Sequence, residues 1–390
     1  MRILCLTSRL PWPPDRGDRL RAFHMLETLA KEHELTLLSF VEGSEQRALL
    51  AHLKPLCREI RVVEKSRAAS ILTVAANGWR RLPLQTLYYR SGAMRRLVAK
   101  TMADGSFDAA YVHLFRMAPY LRRGDVPYRI VDLTDVVSSE LDRSLCHRSG
   151  LSRLVCTAER RRIERCEETL AGEGDEIWLI SSAERSALID RCPGANIHVI
   201  PNGVDCDAFH PLEGVEDPAV VVFTGHMGVF HNVDAAVYLA ESLMPLVRRE
   251  VPDLRLRIVG ASPGRRVQDL HRPPVVTVTG FVHDLNLELN RGEVFVAPLR
   301  FSAGVQNKVL EAMAAARPVV TTPTVARGLG VEVGRHLLVA ESAEKFAGHI
   351  IGLVADADRR RALGSAGRRF VKDRFSWGFV ADRAREIAER

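Results

Sequence analysis

The segment RFSAGVQNKVLEAMAAARP, Arg300 to Pro318, holds the residues best suited to chemistry. It follows an apolar run, Val294–Ala297, and its Pro298 break. A small-residue loop (Ser302, Ala303, Gly304) comes next, then Val305, Gln306, Asn307 and Lys308, then a helix opening with Leu310-Glu311-Ala312-Met313. Small residues let backbone N–H groups approach a ligand closely, and the first turn of a helix offers N–H donors to a phosphate. Lys308 adds a full charge. Glu311, one turn in, can accept hydrogen bonds from sugar hydroxyls. Together they describe a pocket for a phosphorylated, ribose-containing ligand. Residue types alone leave a second account open: Glu311 as a partner of the helix dipole and Lys308 as a solvated surface cation.

The elements that must position this loop alternate strand and helix. In the first half, strands are expected at Arg2–Thr7, Leu35–Phe40, Glu59–Val63, Ala109–His113, Tyr128–Leu133 and Glu176–Ser181. Helices are expected at Arg19–Lys31, Ser44–Leu53, Met94–Met102, within Arg153–Glu173, and at Ala183–Arg191. The pattern restarts with strands at Val220–Thr224, Leu254–Val259, Val275–Thr279, Val294–Ala297, Pro318–Thr321 and Leu337–Val339, and a helix at Val233–Arg249 capped by Asn232. Short apolar strands alternating with helices predict parallel sheets covered on both faces. The 390 residues accommodate two such domains in series. The expected organisation is an α/β chain with residues 1–210 as the first domain, 211–370 as the second, and 371–390 as a C-terminal helix returning to the first. In open α/β sheets ligands sit at the carboxyl ends of strands, and a cleft between two domains is the default site. The first domain lacks a Gly-x-Gly-x-x-Gly fingerprint after its first strand, which argues against a dinucleotide oxidoreductase. It carries Pro13-Pro14-Asp15-Arg16-Gly17-Asp18 instead, where Gly17 either faces a ligand or simply joins strand to helix.

Composition narrows the class. Hydrophobic content of 46% and charged content of 26% are those of a globular protein. No apolar run approaches the roughly 20 residues that span a bilayer, and Ile3–Leu6 is too short for a signal core. Seven scattered cysteines (5, 57, 146, 156, 166, 192, 206), with no Cys-x-x-Cys pair, predict free thiols in a reducing compartment and no structural metal. The net charge is +7, yet Lys65 to Ala103 alone holds eight basic residues (Lys65, Arg67, Arg80, Arg81, Arg90, Arg95, Arg96, Lys100) and no Asp or Glu. Trp79, Tyr88 and Tyr89 lie among them, and Met94, Leu97, Val98 and Met102 fall near one helical face away from Arg95, Arg96 and Lys100. A basic, aromatic-bearing amphipathic surface suits an anionic membrane interface; a core helix with a solvated basic face is the alternative. No nucleic-acid-binding motif is present.

Three motifs resemble those of family-4 glycosyltransferases of the GT-B type. Ile200-Pro201-Asn202-Gly203-Val204-Asp205, with Phe209 and Pro211, resembles the inter-domain signature. Lys308-Val309-Leu310-Glu311-Ala312-Met313-Ala314, with Arg317-Pro318-Val319-Val320, resembles the donor-site helix and its following strand. Gly280-Phe281-Val282-His283-Asp284-Leu285 resembles the loop near the nucleobase. The run through Phe40 resembles sugar transferases of PEP-CTERM/exosortase systems. The resemblance implies two Rossmann-like domains and sugar transfer from a nucleotide-diphosphate donor with retention, without a bound metal or other cofactor. The acceptor it implies is lipid-linked or a polysaccharide, at the cytoplasmic side of the inner membrane. It assigns the donor to Gly225, His226, Gly280, Phe281, Val282, Arg300, Gly304, Val305, Gln306, Asn307, Lys308 and Glu311. Lys308 and Glu311, with His113 at the end of Phe107–His113, would be the catalytic group. Gly17, His113, Asp132 and Asp135 would face the acceptor, although a structural role for His113 and the two aspartates fits the sequence as well.

The chain also departs from the family. Ala303 occupies a position, eight before Glu311, where the family often has Glu. The stretch Gly225-His226-Met227-Gly228-Val229-Phe230-His231-Asn232 carries histidines where the family often places Arg and Lys, with Arg300 as a candidate substitute. Two other functions on the same fold therefore stay open: a nucleotide-sugar epimerase or hydrolase, and a non-catalytic nucleotide-sugar-binding partner of another transferase.

Overall fold

Ile3 to Leu6 are almost wholly buried in the first strand, with neighbours on both faces, as a continuous apolar run requires. A computed structural model describes the chain apart from residues 15–16, 44, 146–148, 174, 301–304 and 389–390. The described chain divides into two compact units, Met1–Pro201 with Ala381–Arg390, and Asn202–Val380.

The first unit holds β1 (Arg2–Thr7), β2 (Glu34–Val41), β3 (Glu59–Glu64), β4 (Ala109–His113), β5 (Tyr128–Thr134), β6 (Glu176–Leu179) and β7 (Ile197–Val199). They form one parallel sheet in the order β3-β2-β1-β4-β5-β6-β7. The second unit holds β8 (Val220–Thr224), β9 (Arg255–Val259), β10 (Val276–Gly280), β11 (Val294–Ala297), β12 (Val319–Thr321) and β13 (Leu338–Val339), again parallel, in the order β10-β9-β8-β11-β12-β13. In each sheet the order reverses beside its first strand, at β1/β4 and β8/β11, and the loops at the carboxyl ends there are the natural ligand positions. The α/β class and doubly wound architecture expected from the alternation are what the chain adopts.

Several elements differ from the sequence reading. The expected uninterrupted helix Val233–Arg249 begins at Phe230, passes through a π-helical segment at Leu239–Leu243, and resumes at Met244–Val247. Pro245 lacks the N–H that a regular ladder would use, and the wider turn sits just before it. Asn232 is therefore not the cap; Val229 is. Ser44–Leu53 resolves into a short α-helix, Glu45–Ala48, and a 3₁₀ turn, Leu49–His52. Between Lys65 and Ala103 the chain adds a helix not foreseen, Arg67–Asn77, whose first turn is capped by Ser66 Oγ accepting from Ala69 N at 3.3 Å.

Six described cysteines are free: Cys5, Cys57, Cys156 and Cys206 are buried, and Cys166 and Cys192 half-buried; Cys146 lies outside the described residues. In the final helix, Trp377–Ala388, Arg383 Nε donates to Val199 O at 2.8 Å and Arg385 Nη1 reaches Glu32 Oε1 at 3.1 Å.

Candidate active site

In the second unit the sequence-derived donor residues gather at the carboxyl edge. Gly225 and His226 follow β8, Gly280 ends β10 and leads into Phe281 and Val282, and Arg300 and Val305 to Glu311 follow β11. The helix Asn307–Ala314 buries Val309, Leu310, Ala312, Met313 and Ala314. Lys308 and Glu311 are left on the half-buried side of the helix, consistent with a recess at the protein surface. Burial brings Lys308 down to about 8, with the Glu311 charge opposing the shift. It pushes Glu311 up to about 7, opposed by Lys308. Each group is thus nearer neutrality at physiological pH than its ordinary value implies, a condition that a bound anion and bound hydroxyls would relieve.

Lys308 Nζ donates to Asn232 Oδ1 at 2.6 Å. Asn232 Nδ2 in turn donates to His226 O at 3.0 Å, and the His226 ring Nδ1 accepts from Gly228 N at 3.2 Å. The helix after β8 and the helix after β11 are therefore linked across the switch point. Close approach of the backbone makes this corner tight. Gly260, at φ +150°, lies against Gly225 so closely that a Cβ would meet the Gly225 carbonyl oxygen. Gly225 N bonds Val259 O at 3.0 Å, and Gly260 N bonds Gly280 O at 3.0 Å. Asn307 is held from another direction by Asn202, whose Nδ2 reaches Asn307 Oδ1 at 3.2 Å. Neighbouring Gly203 admits the Trp377 indole where a Cβ would collide, and Val204 N donates to Phe375 O at 2.7 Å. Asn202 of the signature thus holds the first residue of the helix Asn307–Ala314. Sequence reasoning did not foresee that Asn202 would contact Asn307 or Asn232 contact Lys308. Asn202 stood inside a motif, whereas Asn232 had been read as a cap.

The remaining donor candidates are less uniform. Phe281 is 67% exposed beside His283, at 5.1 Å between ring centroids, and offers a stacking face. Val282 is half-buried and Val305 buried. His231 is brought down to about 4 by burial and by Lys308, so it is neutral at physiological pH and supplies no charge for a phosphate. Arg300 forms a bidentate pair with Asp234, Nη2–Oδ1 2.6 Å and Nε–Oδ2 3.0 Å, over the Tyr238 ring. Its charge is largely matched by that carboxylate, which weakens it as a substitute for the family's arginine. Gly304, with Ser302 and Ala303, lies outside the described residues.

In the first unit, His113 ends β4, nearly fully buried, and Nε2 has no hydrogen-bond partner. Burial holds its ring near 4, so it is neutral. The chain turns sharply after it: Leu114 takes φ +72° while its N–H bonds Asp132 O at 2.8 Å. Asp132 departs from its expected acceptor role. It is fully buried, receives Arg21 Nε at 2.7 Å, Tyr111 OH at 2.6 Å and Thr134 N at 3.1 Å, and has no surface to offer. Arg21 Nη1 continues to Ile200 O at 2.9 Å. The pair therefore fixes the helix Gly17–Ala30 to β5 and to the end of the β7 strand. Asp135 is half-buried and pushed up to about 7 by burial and by Glu184 and Glu140. Gly17 is exposed at the first position of its helix.

The helix Met94–Met102 of the sequence reading, observed as Gly92–Asp104, turns Met94 and Val98 into the core cluster. Its apolar face is therefore not available to a membrane, although Arg95, Arg96 and Lys100 are exposed. No helix among the described residues is long and apolar enough to cross a membrane.

Residues 218–356 match the family model described as glycosyl transferases group 1. The chain is 30% identical over 253 residues to alpha-maltose-1-phosphate synthase of Mycolicibacterium smegmatis, over 57% of this chain and 64% of that protein. It is 27% identical over 347 residues to the GDP-mannose-dependent alpha-(1-6)-phosphatidylinositol monomannoside mannosyltransferase of Mycobacterium tuberculosis, over 82% and 83%. The solved sucrose-phosphate synthase of Thermosynechococcus elongatus superimposes with a TM-score of 0.70 at 16% identity, over 100% of this chain and 98% of that one. Anabaena HepE, solved with UDP, superimposes with a TM-score of 0.69 at 17% identity, over 100% of both. Residues 218–356 are thus similar to a group 1 glycosyl transferase domain, and the two doubly wound parallel-sheet domains have the GT-B fold.

Proposed function

We propose that the protein is a retaining, metal-independent family-4 glycosyltransferase that moves a sugar from a nucleotide-diphosphate donor to a lipid-linked or saccharide acceptor. The observation that carries this is the placement of half-buried Lys308 and Glu311 at the carboxyl edge of the second sheet, with Lys308 fixed by Asn232 at 2.6 Å. Departure of the nucleotide builds negative charge on the β-phosphate. A preorganised ammonium and first-turn N–H groups stabilise that charge without reorganising. Ionised Glu311 accepts two ribose hydroxyls, and exposed Phe281 stacks on the base. Neutral His113 offers a ring nitrogen to a sugar or acceptor hydroxyl, and Asp135 is the remaining acidic candidate on the acceptor side. The relatives are named for maltose 1-phosphate synthesis and for mannosylation of a phosphatidylinositol mannoside, which favours a glycan-building role. Service to a PEP-CTERM/exosortase system rests on the N-terminal run alone.

The reading includes association with an anionic membrane surface. Ile71, Leu72, Trp79 and Leu82 are exposed among Arg67, Arg80 and Arg81. The helix Gly150–Gly172 packs beside this segment: Arg162 Nη2 bonds Gly78 O at 2.6 Å, and Glu159 Oε1 accepts from Leu84 N at 2.7 Å. Val155 and Leu151, seven and eleven positions before Arg162, continue the same helical face and are exposed, as is Leu154. Apolar side chains interleaved with arginine match an anionic interface.

Incubation with a panel of nucleotide sugars and candidate acceptors, with and without chelator, tests the transfer; anomeric configuration of the product is read by NMR. Acceptor-dependent product with the donor's configuration supports the reading. Release of free or epimerised sugar without acceptor would favour an epimerase or hydrolase, and binding without turnover a non-catalytic partner.

A further inference from the structure

A second group of charges lies at the carboxyl edge of the first sheet, outside the donor machinery. Arg9 follows β1, Glu42 follows β2, Lys65 follows β3, Arg116 lies three residues beyond β4, and Asp18 is the second residue of the helix after β1. Asp18 Oδ2 is shared by Arg9 Nη1 at 2.9 Å and Arg116 Nη2 at 3.5 Å. Arg116 also reaches Ser8 Oγ and Gln85 Oε1, both at 3.0 Å, so its guanidinium is held in place. Glu42 is engaged by Arg67 at 2.7 Å.

Tyr89 stands at the centre of the group. The Arg116 guanidinium lies 5.0 Å from its ring centroid, and Lys65 Nζ lies 4.7 Å from it and 3.5 Å from the Tyr88 centroid. Lys65 is only 8% exposed, and Nζ has no hydrogen-bond partner. The two ring faces offset part of the cost of burying the ammonium, but they accept none of its three N–H donors in a conventional hydrogen bond. Arg9 and Arg116 therefore share one carboxylate, Asp18, Lys65 and Arg116 both lie by the Tyr89 ring, and Glu42 is already paired with Arg67. Burial lowers the Lys65 pKa, opposed by Tyr89 and Glu42 and aided by Arg9 and Arg67. What this edge lacks is an acceptor-rich anion.

We infer that Lys65, Arg9 and Arg116 form a phosphoryl-binding subsite at the carboxyl edge of the first sheet. Its ligand is a phosphate group carried by the acceptor. Arg9 and Arg116 follow the switch-point strands β1 and β4, where α/β sheets take ligands, and Lys65 follows β3 on the same carboxyl edge. The guanidinium groups supply directional donors and Lys65 a point charge, the pairing used for phosphate elsewhere. A soluble sugar phosphate and a phosphate-bearing lipid present the same group. The acceptor assignment rests on the transferase reading; phosphate binding does not.

The test is calorimetric titration of inorganic phosphate into the wild-type protein and into Lys65→Met and Lys308→Met. Methionine keeps the apolar stem beside the two tyrosines and removes the charge. The expected result is loss of about tenfold or more in affinity in Lys65→Met, with this binding retained in Lys308→Met. As a check that needs no variant, acylation of Lys65 by an amine reagent, read by mass spectrometry, should be slowed by phosphate. Equal affinity in wild type and Lys65→Met, or acylation indifferent to phosphate, overturns the subsite. A competition arm separates the sources: glucose 1-phosphate in solution against phosphatidylcholine vesicles carrying phosphatidic acid. Displacement of bound phosphate by either supports the subsite and names its source; displacement by neither overturns the acceptor assignment. Nucleotide binding by the second unit is measured separately with UDP and GDP, so its failure and the failure of this subsite are read independently.

Discussion

The Lys308 ammonium and the Asn232 amide oxygen lie 2.6 Å apart, joining the helix after β11 to the helix after β8 across the point where the strand order reverses. Asn232 is itself anchored on the His226 carbonyl, so the position of the cation is set before any ligand arrives. Preorganisation of this kind is what makes a single charge effective against a developing phosphate charge.

Asn232→Ala removes that anchor and leaves Lys308 to choose among rotamers. Loss of a charged hydrogen bond is worth about 1.5–3 kcal/mol. The expected outcome is a fall of roughly tenfold or more in kcat/KM for the donor with the fold intact by circular dichroism. Unchanged donor kinetics would remove Asn232 from the site.

Glu311 couples function to stability with a definite sign. Its folded pKa, about 7, lies above its ordinary value of 4.5. Between those values the folded state holds more protons than the unfolded one, so stability declines as pH rises through this window. Lys308 is lowered from 10.5 to about 8; there the unfolded state holds more protons, and stability recovers as pH rises from about 8 toward 10.5. Glu311→Gln is expected to raise Tm relative to wild type more at pH 7.5 than at pH 5, while weakening nucleotide-diphosphate binding. Parallel melting curves across pH, or unaltered affinity, would contradict the assignment.

Asp132 belongs to the framework. Removing one partner of a buried ion pair costs about 3–5 kcal/mol because the other charge is stranded. Arg21→Met should therefore lower the urea midpoint strongly, and the double variant Arg21→Met/Asp132→Leu should recover part of the loss. If Asp132→Asn instead leaves stability unchanged and abolishes transfer, the acidic group acts on substrate after all.

Gly260→Ala places a Cβ against the Gly225 carbonyl at a backbone angle that L-residues seldom adopt. A loss of about 3 kcal/mol is expected, measured by chemical unfolding of the full chain. Nucleotide affinity should fall with it, because β8 and β9 must part at the edge that carries the donor loop.

Membrane association should depend on apolar as well as basic side chains. Leu72→Glu with Trp79→Glu is expected to abolish flotation with anionic vesicles at low and moderate salt. Reversal of Arg95, Arg96 and Lys100 to Glu should act through charge alone and be masked by salt. Flotation that ignores Leu72 and Trp79 would argue against an apolar contact.

Periodicity and local propensity were enough to read most strands of both sheets, the short β7 at Ile197–Val199 excepted. Runs such as Val220–Thr224 and Val294–Ala297 are apolar on both faces, and only a covered parallel strand buries both. The proposed donor corner could be put forward from sequence because its ingredients, small residues, Lys308 and Glu311, are contiguous. Chemistry assembled from distant residues was not. The Lys308–Asn232 contact spans 76 positions and the Arg21–Asp132 pair 111, and no local pattern encodes either partner. The apolar stripe of Gly92–Asp104 was readable as a stripe, but whether core or membrane covered it depended on what packed against Met94 and Val98. Lys65 belonged in sequence to a run of surface cations, until the fold set most of it against Tyr88 and Tyr89. Sequence determined which residues could carry charge and which segments would be strands. Tertiary structure decided which charges are solvated, paired or left wanting an anion, because desolvation and hydrogen-bond partners are properties of the packed chain.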